Sequence, residues 1–89
     1  MRITTAADLG HYIRERRQQL RKTRHELAEE AHVSVRWLAN LEAGKPGAEV
    51  GLIIRTLHAL ELGITVQPVV LPPDEIDLGE LLDSLKDRS

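Results

Sequence analysis

The fold is decided by one stretch, Thr23-Arg24-His25-Glu26-Leu27-Ala28-Glu29-Glu30-Ala31-His32-Val33-Ser34-Val35-Arg36-Trp37-Leu38-Ala39-Asn40-Leu41-Glu42-Ala43-Gly44-Lys45, which holds two helix starts and two helix stops. Thr23 with Glu26 reads as a capping box: the Thr hydroxyl accepts the amide three residues on, and the Glu carboxylate reaches back to the Thr amide. That opens a helix over Arg24 to Ala31, barely two turns, with Leu27 and Ala28 facing inward. His32-Val33 makes a tight connection, Ser34 caps again, and Val35 to Ala43 forms the next helix. Gly44 stands where a left-handed residue ends it.

Upstream, Ala6 to about Arg21 places Leu9, Tyr12, Ile13 and Leu20 at helical spacing behind Thr5 as N-cap. Downstream, Lys45-Pro46-Gly47 is a loop by composition, and Val50, Ile53, Ile54, Leu57 and Leu60 then form an amphipathic stripe ended by Gly63. Ile64-Thr65-Val66-Gln67 is β-branched and alternating, with Pro68 confining it to an edge or a bulge. A lone strand needs a partner: Arg2-Ile3-Thr4 of the same chain, or the same strand of a second copy across a two-fold axis. After Pro72-Pro73, Asp77 and Glu80 form another capping box with Ile76 and Leu81 as its staple. Leu78, Leu81, Leu82 and Leu85 line one face of this otherwise acidic helix. It is too short to stand alone, so it docks on its own dimer or on another protein. The expected divisions are 1–62 for a helical domain, 63–71 for a dimerisation strand and 72–89 for the acidic tail.

A chain of 89 residues, 42% apolar and 29% charged, holds one small globular core. One Trp, one Tyr and no Phe suit packed aliphatic helices and argue against readers of single strands, which stack bases on several aromatics. The absence of cysteine removes disulfides, thiolate zinc sites and thiol nucleophiles. No leader and no membrane span is read, so the expected location is the cytoplasm, in association with the nucleoid. Net charge is −2, but residues 1–70 carry ten Lys and Arg against eight Asp and Glu, while residues 71–89 carry two against six. The acidic tail masks a basic body, in which Arg14, Arg16, Arg17, Arg21, Lys22 and Arg24 face the single Glu15 between them. Such a run attracts phosphate, although a solvated helix face accounts for it too.

Two short helices with a tight turn are the arrangement in which one helix braces on the DNA backbone while the next enters the major groove. Thr23-Arg24-His25-Glu26-Leu27-Ala28, the Ser34 cap and the close Leu41-Glu42-Ala43-Gly44-Lys45 resemble the helix-turn-helix of the phage-repressor and Cro-like (XRE) family. The likeness covers residues 9 to 62. It implies an all-α, four-helix phage-repressor-like domain, here followed by the strand and the acidic tail helix. It also implies that Arg17 pairs with Glu42 as a structural bridge, and that Thr23, Arg24 and Lys45 face phosphate. Val35, Arg36 and Asn40, with Ser34 and Ala39 beside them, fall where the family reads base edges. The chemistry agrees, since Arg36 can donate twice to guanine, Asn40 can pair with adenine and Val35 can touch a thymine methyl.

Some positions depart from the family's pattern. Arg24 replaces a Gln, keeping a phosphate donor but putting in question the Gln's second role of bracing the recognition helix. Arg21 and Lys22 replace a Gly and an apolar residue, which puts the loop after the first helix in question. Trp37 occupies a position often held by Thr, either as a half-buried anchor on the second helix or as an indole packed on sugar and phosphate. A four-helix core followed by Leu62-Gly63-Ile64-Thr65-Val66 is similar to the HipB group of antitoxins. The resemblance implies a homodimer on a palindromic operator, repression of its own operon, and capture of a HipA-type kinase toxin.

Other chemistry fails at the level of spacing. Glu29 stands where a zincin helix needs its second His, and His11, His32 and His58 lack ligand spacing. There is no glycine-rich phosphate loop, and Ser34, Ser84 and Ser89 have no recognisable triad context. No catalysis, metal or cofactor is therefore expected. The rival readings are a repressor without a toxin partner and a protein-interaction adaptor with a vestigial helix-turn-helix.

Overall fold

Three of the four helices begin on a side-chain cap and all four end on a local backbone hydrogen bond, in a computed structural model that describes residues 2–69. The helices are α1 (Ala6–Gln19), α2 (Arg24–Ala31), α3 (Val35–Glu42) and α4 (Val50–Ala59). Thr5 accepts from the Asp8 amide at 3.0 Å and Ser34 from the Trp37 amide at 2.9 Å. The Thr23–Glu26 box closes in both directions, at 3.1 and 2.9 Å. Such caps satisfy amides that have no partner inside the helix. Glu49 precedes α4 without a side-chain cap.

All four helices stop in the same way. A residue in the left-handed region follows each, namely Arg21 (φ 56°), His32 (φ 56°), Gly44 (φ 81°) and Glu61 (φ 59°). In each case the next amide bonds back to the fifth residue before it: Lys22 to Arg17, Val33 to Ala28, Lys45 to Asn40 and Leu62 to Leu57, at 2.9–3.1 Å. These are Schellman closures, three of them made without glycine. The loop after α1 therefore keeps the geometry that a Gly would give, with Arg21 adopting it. The expected stop at Gly63 is corrected, because Glu61 turns the chain two residues earlier. The first helix likewise ends at Gln19, short of Arg21.

The core forms where the helices cross. Ile13, Leu27, Leu38 and Leu60 are fully buried, joined by Ala28, Ala31, Leu41 and Leu57. Helix α2 packs on α4 and α3, and α1 packs on α3. Thr56 is buried in α4 and returns its hydroxyl to the Leu52 carbonyl at 2.8 Å, so burial leaves no orphan donor. The α1–α3 crossing is close at two points: a Cβ on Gly10 would meet the Leu41 and Glu42 carbonyls, and one on Gly44 would lie 2.8 Å from the Ala7 Cα. Three of the five residues of the α4 stripe are core, since Ile53, Leu57 and Leu60 pack inward while Val50 is 68% exposed and Ile54 lies at the surface.

Among the described residues no strand forms. Residues 62–69 run without regular structure beside the N-terminal arm. The expected pairing of Ile64 to Gln67 with residues 2–4 is not formed, since no ladder links those two segments within this chain. The tail helix and its leucines Leu78, Leu81, Leu82 and Leu85 lie outside the described residues.

Candidate nucleic-acid interface

The frame beneath the interface is a buried ion pair. Arg17 donates from Nε to Glu42 Oε2 at 3.0 Å and from Nη2 to Oε1 at 2.9 Å, a forked contact whose planar geometry matches a carboxylate. Its third nitrogen, Nη1, donates to the Lys22 carbonyl at 3.0 Å. One guanidinium thus joins α1, the end of α3 and the loop leading into α2. With the Glu42 side chain only 2% exposed, the pair is held by geometry on both sides.

The basic run is partly absorbed by this frame. Arg16 Nε donates to the Leu60 carbonyl at 3.1 Å, and Lys22 Nζ reaches the Ala59 carbonyl at 3.1 Å and Glu30 at 2.6 Å. These cations close the end of α4, where the helix dipole is negative. Arg14 and Arg21 remain exposed, so fewer of the six cations stand free at the surface than the run suggests. Arg24 reaches back to Glu42 Oε1 at 3.5 Å. Arg24 thus touches the C-terminal end of α3 at the outer limit of a hydrogen bond.

Helix α3 presents the expected readers along one short surface. Ser34 and Arg36 are exposed, and Val35, Trp37, Ala39 and Asn40 are half-buried. Arg36 and Asn40 lie four residues apart, one turn, and so share a face. Val35 and Trp37 also pack against the hydrophobic cluster, which fixes their positions. Trp37, Asn40 and Lys45 border one small cavity of about 180 Å³ completed by Leu41, Pro46, Gly47 and Ala48. The indole thus lies on the side of the loop after α3. Thr23 and Arg24 start α2, with Thr23 exposed and held by the capping box.

Two groups bracing this surface gave no sequence signal. Arg55 on α4 donates from Nε to the Ala31 carbonyl at 3.0 Å and from Nη2 to the His32 carbonyl. It closes the end of α2 directly before Ser34 starts α3, across more than twenty residues of sequence. Gly10 is the other; its value is steric and depends on where α3 crosses. Among the described residues two carboxyls are shifted by their hydrogen bonds. The Thr4 and Thr23 amides, followed by their hydroxyls, hold the Asp8 and Glu26 carboxyls respectively below the ordinary range.

A second surface lies away from α3. Leu9, Tyr12, Ile53 and Leu57 floor a groove of about 880 Å³ walled by Arg2, Ile3 and residues 62–69. Ile3, Ile64, Val66 and Val69 expose much of their side chains beside it. Among the described residues no cluster of His, Asp and Glu could hold a metal, and no helix is long and apolar enough to cross a membrane.

The chain belongs to the helix-turn-helix domain family, whose pattern matches residues 8–67. It is 38% identical over 65 residues to the HTH-type transcriptional regulator y4mF of Sinorhizobium fredii, a match covering 73% of this chain and 86% of that one. Among solved structures, HipB in the HipA-HipB-O2-O3 complex superimposes with a TM-score of 0.73 at 23% identity, covering 79% of this chain and 99% of that one. HipB in its complex with the O4 20mer gives the same TM-score of 0.73, 23% identity, 79% and 99%. At that identity the likeness establishes a shared fold.

Proposed function

We propose that this helix-turn-helix protein is a sequence-specific repressor of transcription that binds a palindromic operator as a homodimer, reading bases with Arg36 and Asn40. The observation that carries this reading is the α3 surface itself. Two side chains suited to guanine and adenine stand one turn apart on a helix capped by Ser34, fixed by Arg17–Glu42 from one side and Arg55 from the other. Val35 adds an apolar contact suited to a thymine methyl, with Ser34 and Ala39 beside it. Thr23, Arg24, Trp37 and Lys45 flank the readers and position the domain on phosphate.

A homodimer fits the exposed apolar residues of α4 and the groove beside it. A second copy that paired its Ile64 to Gln67 segment with this one would satisfy both edges. The antitoxin role, with a HipA-type kinase as partner, rests on the shared fold with HipB, whose solved complex includes HipA. The acidic tail, through its leucines, is the segment assigned to that partner.

Two measurements test this. Selection from a randomised duplex pool should return a two-fold-symmetric site with half-sites about one DNA turn, roughly 34 Å, apart. An unselective pool would favour the adaptor reading instead. Recovery of the N-terminally tagged protein from its host at low salt should bring down a stoichiometric kinase-like protein. Recovery of DNA alone would leave a repressor without a toxin.

A further inference from the structure

The groove beside α1 and α4 is floored by apolar side chains, and the chain reaches its edge with an apolar stripe still to place. Leu9, Tyr12, Ile53 and Leu57 form the floor, and Val69, the last of the described residues, is part of the lining. On the same wall Ile64 is 54% exposed and Val66 is 89% exposed. A contiguous apolar surface of this kind marks a binding site. Beyond Val69 the sequence carries Leu78, Leu81, Leu82 and Leu85 at the spacing of one helix face.

We propose that this leucine face docks in the groove of its own chain and closes it against a second copy, so that a partner capturing the leucines opens the groove for dimerisation. The proposal rests on the homodimer and the partner proposed above, and not on the base readers. Reach permits it: the link from Val69 to Leu78 extends to about 30 Å, and α4, with ten residues, is about 15 Å long. A helix from Leu78 to Leu85 spans about 11 Å and fits alongside it. Charge favours it as well. Residues 71–89 hold six Asp and Glu against two Lys and Arg. The groove has Arg2 in its wall, and Arg16 lies one turn beyond Tyr12 on α1. The Asp8 carboxylate, one turn before Tyr12, is already held by Thr4. Tethering gives the tail an effective concentration on the order of millimolar, which offsets the marginal stability of so short a helix. One leucine face buries itself on one surface at a time. Capture by a partner and closure of the groove are therefore exclusive, and a dimer forms only after both chains have released their tails.

The chain has no cysteine, so Ser84→Cys provides a single attachment point for a spin label on the tail. The labelled, isotope-enriched chain of 89 residues is diluted into an excess of plain chain, so that only contacts within one chain register. The amide signals of Leu9, Tyr12, Ile53 and Leu57 are expected to broaden, and to sharpen again when Leu81→Gln and Leu82→Gln are added. Sedimentation over a concentration series then compares the unlabelled wild type with the Leu81→Gln, Leu82→Gln variant, once melting curves have shown both folded. The variant should associate at least about tenfold more tightly, because each wild-type chain is competent to pair only in its open fraction. Absence of broadening at the groove overturns the docking. Broadening seen only when label and isotope sit on different chains puts the tail on a second copy and overturns closure by the chain's own tail. Equal association of variant and wild type overturns the gate. A variant that stays monomeric at every concentration overturns the proposed homodimer and the gate with it, and broadening in the same chain then marks the failure as one of pairing. No arm of the test involves DNA, so failure of the operator reading is separately visible.

Discussion

Gly10 on α1 lies so close to the Leu41 carbonyl on α3 that no side chain fits between them. Alanine is the better helix former by about 1 kcal/mol, yet here its methyl would meet backbone that cannot rotate away. Gly10→Ala is therefore expected to destabilise the fold by about 1–3 kcal/mol, the scale of overpacking. Urea unfolding measures this, and a neutral or stabilising result would show that the helices can part without cost.

Glu42→Ala should cost about 3–5 kcal/mol, because it leaves the Arg17 guanidinium buried without its anion. Arg17→Lys should be nearly as damaging, since the ammonium cannot reproduce the fork or reach the Lys22 carbonyl at the same time. Denaturation of both variants checks this. An Arg17→Lys variant with wild-type stability would mean that charge alone holds α1 to α3.

The left-handed stops predict opposite signs at different positions. Glu61→Gly should stabilise by about 0.5–1 kcal/mol, because relief of left-handed strain of about 1–2 kcal/mol outweighs the extra chain entropy of glycine. Gly44→Ala should destabilise, as it adds that strain and a contact with Ala7. Thermal melts of the two variants should move in opposite directions.

The capping carboxylates set an acid response. Asp8 and Glu26 are held below the ordinary carboxylate range in the fold, so the unfolded chain binds protons more readily. Their stabilisation is present above the ordinary carboxylate range and is lost as the pH falls through the depressed folded values. Thr23→Ala should cost about 0.5–2 kcal/mol as a lost cap, and it should return the Glu26 carboxyl only part of the way toward its ordinary value, because the amide that contributes most to the shift is kept. NMR titration of Glu26 in both proteins reads the shift directly.

On DNA, Arg36→Ala should lose about 1–3 kcal/mol and relax preference at one base pair. Lys45→Ala should weaken matched and scrambled sites alike and reduce the salt dependence. If the two variants behave identically on both duplexes, the assignment of readers is mistaken.

Local chemistry was readable from the chain. Thr5, Thr23 and Ser34 announced three helix starts because a cap depends on residues three apart. What escaped was non-local. Arg55 closes α2 across the fold, and Arg16 and Lys22 looked like phosphate attractors until the end of α4 came beside them. Glu61 escaped for another reason: a stop assigned to Gly63 on composition fell to a residue with no intrinsic preference for that backbone. Val50 and Ile54 fit the helical period perfectly, but period cannot say which apolar face this chain covers itself.

The Gly10 contact and the three-way grip of Arg17 leave the seam between α1 and α3 no slack. A reading head mounted this stiffly has little power to adjust to an imperfect duplex, so on the function proposed here the adjustment falls to the nucleic acid. Stretches that bend or narrow easily would then be favoured between the half-sites, giving sequence preference at base pairs no side chain touches.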